Sequence, residues 1–388
     1  MRFIHTADWH LGRVMYNARL TDDQAHVLEQ VIQVARDARP HALVLSGDVY
    51  DRAVPPPEAV ELLDDVLSRL VIDVQVPVIC IAGNHDSAAR LEFGAKVLAA
   101  RGLHVFGTID PCPSRVTLGD EWGPVHFYPI PFSETSVMRE KLDCEDLRDH
   151  DGALRELVRR VRCVHPMGER SVLAAHVFVA GAAESESERP LSIGGSDRVE
   201  PACFEGFAYA ALGHLHRCQQ AGSPRFRYPG SLLKYSFSEA EHSKSVDLVE
   251  MDGTGAVRVE SIALTPRRDV RRISGLLKDV LNGPQSGESR EDYVMVILED
   301  RGPILDVMGK IREIYPNALH VERLEANPGT DISTRERDHR KMKDSELFAL
   351  FFREVTGDVL TEDEAALYEA VTEQLWRRQR QEDFTCGR

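Results

Sequence analysis

No stretch of this chain approaches the roughly 20 apolar residues that a membrane span needs, so none is expected. Cysteine is sparse and unpatterned: seven residues, at 80, 112, 144, 163, 203, 218 and 386, an odd number with no CxxC spacing. That argues against a disulfide framework or a thiolate zinc site and fits reduced thiols. The N-terminus, MRFIHTADWHLG, places an aspartate and two histidines where a secretion signal needs an apolar core. A cytoplasmic protein is therefore expected, nucleoid-associated if its substrate is DNA. Positive charge is also short, with 47 Lys and Arg against 63 Asp and Glu and a net charge of −16. A passive nucleic-acid binder would show a basic excess instead. Carboxylates that ligate metals or lie far from a substrate face enter the same sum, so the charge leaves the partner open. Internal repeats and low-complexity tracts are absent.

What is present is a chain of 388 residues, 43% apolar and 28% charged, long enough for two or three domains. The first two-thirds alternates strands and helices. RFIHTAD (2–8), PHALVLSGD (40–48) and VPVICIAGN (76–84) read as strands. Helices are expected at 21–38, at about 57–71 behind VPPPE, and near 87–101. Three more apolar runs follow: GPVHFYPIP, RSVLAAHVF and FAYAALGHLH. Residues 243–264 read as two strands around Asp252-Gly253. The expected fold is α/β, two packed sheets flanked by helices, over residues 1–265. At about 266–325 a strand-helix-strand-helix-strand module follows, then a polar linker at 326–341. Two helices close the chain within 342–388, the second opened by a capping box from Thr361 to Glu364.

Chemistry gathers where apolar strands end. Asp8 follows RFIHTA, Asp48 follows ALVLSG, Asn84 follows VICIAG, His176 follows VLAA and His214 follows AALG. Open α/β sheets place ligand chemistry at the carboxyl ends of strands. The fragments are ADWH (Asp8, His10), GDVYD (Asp48, Asp51), GNHD (Asn84, His85, Asp86), AAHVF (His176) and GHLH (His214, His216). Each alone also fits a turn, a cap or a buried polar pair. If the strand runs on through GHLH, its two imidazoles share one side of the backbone. Together the fragments form a mixed O/N donor set without thiolates, suited to two divalent ions such as Mn²⁺, Fe²⁺ or Zn²⁺ at a hydrolytic centre.

In this order, D-x-H, GD-x-x-D-R, GNHD, a lone His after a strand and GH-x-H resemble the calcineurin-like metallophosphoesterases. HTADWHLG, GDVYDRAVPP, AGNHDSAARL, VAGAAESESERPLSIGGSD, ALGHLHR and YPGSLLKYSFSE resemble, more narrowly, the bacterial SbcD-type nuclease subunits, over nearly the whole chain. The resemblance implies a two-sheet metallophosphoesterase sandwich, a small α/β capping domain and a C-terminal helical pair. It implies two ions, Mn²⁺ foremost: Asp8, His10, Asp48 and His216 on one, Asp48, Asn84, His176 and His214 on the other. His85, beside Asn84, is assigned to proton transfer, because an imidazole titrates near neutral pH. Asp86 either orients that ring or caps the following helix. Asp51 is expected behind the ligands, and His5 is expected to be buried.

The implied activity is exonuclease and endonuclease cleavage of DNA ends and hairpins in repair and recombination. The implied assembly is a homodimer within a heterotetramer with an SbcC-type coiled-coil ATPase, gripped by the terminal helices. Of the basic clusters, PRRDVRR (Arg267, Arg268, Arg271, Arg272) is the expected DNA-contacting edge. The competing reading is a calcineurin-like phosphatase or phosphodiesterase with a non-DNA substrate. Protein phosphatases of this superfamily carry GNHE and a glycine after GD-x-x-D-R, whereas this chain has Asp86 and Ala53.

Overall fold

A computed structural model describes residues 1–189, 191, 198–302 and 304–323. In the C-terminal region it describes 348–349, 352–353, 358–361, 363–368 and 370–372. The linker at 326–341 and most of the terminal helical pair lie outside these residues. The chain divides into two compact units, Met1–Arg271 and Arg272–Arg388. No helix among the described residues is long and apolar enough to cross a membrane.

The strands that build the first unit are, in chain order, β1 (Arg2–Thr6), β2 (Ala42–Ser46), β3 (Val78–Ile81), β4 (Leu103–Phe106), β5 (Val116–Asp120) and β6 (Gly123–Ile130). Then come β7 (Arg170–His176), β8 (Tyr209–Gly213), β9 (Gln219–Gln220), β10 (Phe226–Tyr228), β11 (Ser245–Met251) and β12 (Val257–Ala263). They form two six-stranded sheets, ordered β12-β11-β1-β2-β3-β4 and β9-β10-β8-β7-β6-β5. In the first sheet β1 to β4 run parallel, and β11 and β12 add an antiparallel edge. In the second, β6, β7, β8 and β10 are parallel.

Strand composition explains the layering. Residues of β2 and β3 are all buried, as expected for strands covered on both faces. Between the sheets, Phe3, Ala42, Val44, Ile79 and Ile81 meet Val125, Phe127, Val172, Ala174, Tyr209 and Ala211. Phe3 lies edge-on to both Phe127 and Tyr209, with centroids 5.5 Å apart in each case. On the outer side of the second sheet, the helix His150–Val164 buries Leu154, Leu157, Val158 and Val161. The helix Thr21–Ala38 buries Val27, Leu28, Val31, Ile32 and Ala35, the apolar stripe its sequence spacing predicts.

Two local readings need correction. The single helix expected near 87–101 is broken into Ala88–Leu91 and Ala95–Leu98. Gly94, at φ +76°, takes the left-handed conformation between them and ends the first piece. The β11–β12 connection is not a two-residue Asp-Gly hairpin. Instead the Asp252 carboxylate accepts from the amides of Thr254 and Ala256, closing a longer turn.

The second unit carries the strands β13 (Val270–Gly275), β14 (Tyr293–Leu298) and β15 (Ala318–Arg323), a sheet in that order that begins within the first unit's last residues. Short helices Leu277–Val280 and Val307–Ile314 connect them, so the strand-helix-strand-helix-strand order matches the sequence pattern. Its core is Leu277, Val280, Val294, Val296, Leu298, Ile311, Tyr315 and Ala318. Farther along, the Thr361 amide donates to Glu364 at 2.9 Å and the Glu364 amide to the Thr361 hydroxyl at 3.4 Å, the reciprocal box read from the sequence.

Candidate metal centre

The strand ends of both sheets converge on one buried cluster. The segment after β1 runs beside the segment after β2: the amides of Asp8 and His10 donate to the carbonyls of Gly47 and Asp48 at 3.0 and 2.9 Å. Asp8, His10, Asp48 and His214 all have positive φ, at 54°, 46°, 50° and 110°. For residues with a Cβ this is a strained conformation, and such strain collects at functional sites. Each turn aims a side chain that an extended strand would have pointed elsewhere. In particular β8 stops at Gly213, so the pleat does not carry His214 and His216 to a common side. His214 packs against His176, with centroids 5.4 Å apart, while His216 packs against His10 at 4.9 Å.

Glycines make the approach possible. A Cβ on Gly213 would lie 1.8 Å from the Ser46 carbonyl oxygen, and one on Gly83 would lie 2.1 Å from the Asp48 carboxylate. A Cβ on Gly47, at φ +91°, would lie 2.4 Å from His176 Nδ1. The glycines of SGD and LGH thus stand where the two sheets approach each other, and that of AGN where two turns of the first sheet do.

Asp48 is at the middle. Its Oδ2 lies 3.5 Å from His176 Nε2, 3.6 Å from His10 Nε2 and 3.9 Å from His85 Nε2. Its Oδ1 accepts the His85 amide at 2.9 Å. Asp8 accepts the His214 amide at 3.0 Å. Asn84 Oδ1 sits 2.9 Å from His176 Nε2, and His10 Nε2 sits 3.0 Å from His216 Nε2. All seven sequence-selected donor residues are therefore in one cluster, and all but half-buried Asn84 are buried. Three groupings of donors within it, Asp8-His10-His216, Asp8-Asp48-His176 and His10-Asp51-His85, have the spacing to hold a cation.

The hydrogen-bond chemistry favours cations at this place. His176 Nδ1 faces the Ser46 carbonyl at 2.9 Å, and a carbonyl only accepts, so Nδ1 carries a proton. In the neutral ring Nε2 is then a lone pair facing two oxygens, Asn84 Oδ1 and Asp48 Oδ2. His10 Nδ1 is buried with no hydrogen-bond partner. His10 Nε2 and His216 Nε2 lie 3.0 Å apart, close enough that both could reach one ion. With these rings neutral, the lone pairs turned toward one another would be costly to bury, and a cation among them would relieve that cost.

Burial and neighbouring charges pull the ionisation of these groups in opposite directions. Burial pushes Asp8 up to about 7, against the pull of His176 and His216. Burial opposes ionisation of Asp48 too, but His176, His10 and His85 outweigh it and hold the group well below the usual carboxylate range. His10 and His214 are driven well down, first by burial. For His176 burial acts downward, and Asp48 and Asp8 raise it to about 9 nonetheless.

His85 is held differently from the expectation. Its Nδ1 donates to the Asp51 carbonyl at 2.8 Å, which leaves Nε2 facing the cluster. Asp86 neither orients that ring nor caps the following helix. Its carboxylate accepts three backbone amides, Gly83 at 2.8 Å, Tyr50 at 2.9 Å and Val49 at 3.1 Å, and so ties the GNHD turn to the GDVY turn. Asp51 lies behind the donors, its Oδ1 2.7 Å from Arg13 Nη1 and 3.8 Å from His10 Nδ1. His5 is buried against the Tyr209 hydroxyl, 3.0 Å from Nδ1.

The basic edge also differs. Arg268 is turned onto buried Asp23, 3.0 Å away, and Arg267 lies 3.9 Å from Asp22. A guanidinium committed to a buried carboxylate is not available to a phosphate. Arg272, in β13, is exposed.

Several supporting residues escaped the sequence reading. Gln24 on the first helix donates to the Trp9 and His10 carbonyls and accepts from the Gly12 amide, clamping ADWHLG. Its signal was a polar residue on the apolar stripe with Val27, Leu28 and Val31. Ser187, Glu188, Glu239 and Lys244 surround His216 from segments with no regular pattern. Ser187, Glu188 and Glu239 lie in VAGAAESESERPLSIGGSD and YPGSLLKYSFSE, segments that carry the family resemblance but whose spacing gives no role to these side chains.

A family model described as calcineurin-like phosphoesterase matches residues 1–218, and one described as type 5 capsule protein repressor C-terminal domain matches residues 266–356. A curated relative, the SbcD component of the nuclease SbcCD from Staphylococcus saprophyticus, is 31% identical over 371 residues, covering 96% of this chain and 97% of its own. Among solved structures, a dimetal phosphatase from Danio rerio shares 14% identity at a TM-score of 0.42, covering 68% of this chain and 99% of its own. The calcineurin-like phosphoesterase YfkN from Bacillus subtilis shares 14% at a TM-score of 0.36, covering 68% and 90%.

Proposed function

The chain belongs to the calcineurin-like phosphoesterases, in the SbcD family of nucleases, and on that premise we propose that it is a two-metal, Mn²⁺-dependent DNA nuclease. The observation that carries the reading is the convergence of carboxylate, imidazole and amide side chains from the strand ends of both sheets, in groupings such as Asp8-His10-His216 and Asp8-Asp48-His176 whose spacing suits a cation. Asp8, His10, Asp48 and His216 would hold one ion, and Asp48, Asn84, His176 and His214 the other. Bound divalent ions would supply water of lowered pKa and neutralise charge on the phosphate.

The remaining work falls to the chain. His85, fixed through Nδ1 by the Asp51 carbonyl, presents Nε2 to protonate the leaving oxygen. Asp86 keeps that ring in place indirectly, by joining the two turns that carry His85 and Asp48. The expected substrate is DNA, cut from ends and within hairpins. Metal-stripped protein should degrade linear duplex DNA once Mn²⁺ is returned. Cleavage of an aryl phosphodiester with no action on DNA, alone or with an ATPase partner, would move the function to a non-DNA phosphoesterase.

The second unit would be the capping domain that the resemblance implies, and the terminal helices would bind the SbcC-type ATPase in a dimeric assembly. Leu367 and Val371, four residues apart on a helix, are 66% and 48% exposed, an apolar pair that suits a partner helix. Phe348 stacks on Tyr368 with centroids 3.9 Å apart, so residues of both expected helices meet. Deleting 342–388 should abolish capture of the ATPase in a pull-down and spare Mn²⁺-dependent hydrolysis of a small phosphodiester. Retained capture would refute the assignment of this segment.

A further inference from the structure

We propose that Ser187, Glu239 and Lys244 form a buried positioning relay that fixes His216 as the Nδ1-protonated tautomer, with its Nε2 lone pair directed at the metal centre. The proposal rests on the two-metal reading above and adds the residues that prepare one ligand for it.

The relay follows from counting protons. Lys244 has three donors, and all are used: Glu239 Oε2 at 2.5 Å, the Ser231 hydroxyl at 2.8 Å and the His216 carbonyl at 2.8 Å. Glu239 is fully buried and paired with the Lys244 ammonium, a contact that keeps the carboxylate ionised. An ionised carboxylate only accepts. Its Oε1 lies 2.5 Å from the Ser187 hydroxyl, so the single Ser187 hydrogen points at Glu239. Toward His216 Nδ1, 2.7 Å away, the same hydroxyl can then only accept. Nδ1 must carry a proton, and in the neutral ring Nε2, facing His10 Nε2, is left as the free lone pair. A hydrogen bond on the far ring nitrogen is the usual means by which a ligating histidine is set.

The loop that supplies Ser187 grips the same segment elsewhere. Glu188 Oε1 accepts the His216 amide at 2.7 Å. The Ala183 amide donates to the Gln219 side chain at 2.8 Å, and Gln219 returns a bond to the Ala183 carbonyl at 2.7 Å. Ring, backbone and flanking residue of His216 are thus held by one loop, with Lys244 reaching its carbonyl from the other side.

The test uses the full chain stripped of metal, with Mn²⁺ as the titrant and ¹⁵N-histidine spectra of the metal-free protein as a second readout. Ser187→Ala should weaken one of two Mn²⁺ binding events by about 10–100-fold, leave the other unchanged, and admit the second His216 tautomer. Ser187→Thr, which restores the hydroxyl, should recover both the affinity and the single tautomer. Glu239→Gln should act like Ser187→Ala where it folds, but it strands the Lys244 ammonium, so the serine pair decides. Wild-type affinity and an unchanged tautomer in Ser187→Ala would overturn the relay. A wild-type chain that takes up no Mn²⁺ would overturn the metal reading instead.

Discussion

His85→Ala is expected to lower kcat for phosphodiester cleavage by about 10²–10⁴-fold, the range of a lost general acid, with both metal ions still bound. The separation follows from which atoms of His85 do what. Its amide donates to Asp48 Oδ1, and its Nδ1 to the Asp51 carbonyl; only Nε2 faces the reaction space. Alanine keeps the amide and hence the Asp48 contact; it removes the proton carrier together with the bond to the Asp51 carbonyl. Metal content by elemental mass spectrometry and kcat on one DNA substrate decide the matter. An unchanged kcat would end the proton-transfer assignment. Loss of metal together with activity would make His85 a supporting residue of the metal site.

The opposite pattern is expected at Asp48. Its Oδ2 lies within 3.9 Å of His176, His10 and His85, so removing the carboxylate takes charge from the centre of the cluster. Since even residues behind metal ligands contribute about 10–100-fold in affinity, Asp48→Ala should lose at least one ion at micromolar Mn²⁺ and all measurable nuclease activity. Asp48 has φ 50°, where alanine adds strain of about 1–2 kcal/mol. Asn tolerates that backbone and keeps the shape, so Asp48→Asn separates charge from folding. Calorimetric titration of Asp48→Asn with Mn²⁺ should show weakened binding, with the metal-free protein still unfolding in one cooperative transition, at a midpoint lowered by loss of the charge that His176, His10 and His85 stabilise. Two ions bound at wild-type affinity would refute the bridging role.

Local elements were legible in proportion to how local their causes are. The helix Thr21–Ala38 shows its apolar stripe within a few turns, and the Thr361–Glu364 box is closed by residues three apart. The break at Gly94 was missed because periodicity outweighed one glycine. Asp86 was misplaced for a different reason. Beside His85 it looks like a partner of that ring, yet two of its three donors, Val49 and Tyr50, come from a turn some 36 residues earlier.

The sequence by itself determined which donors exist and that they end successive strands, because strand length, glycine placement and residue chemistry are written along the chain. It could not show that His10 meets His216 across 206 residues, or that β1 and β8 belong to different sheets. Those facts arise only when the two sheets pack around Phe3, Phe127 and Tyr209. Packing brings Gly213 onto the Ser46 carbonyl and sets Ser187, Glu239 and Lys244 behind His216. A ligand's identity is a property of one residue; its direction and its proton depend on neighbours that only the folded chain supplies.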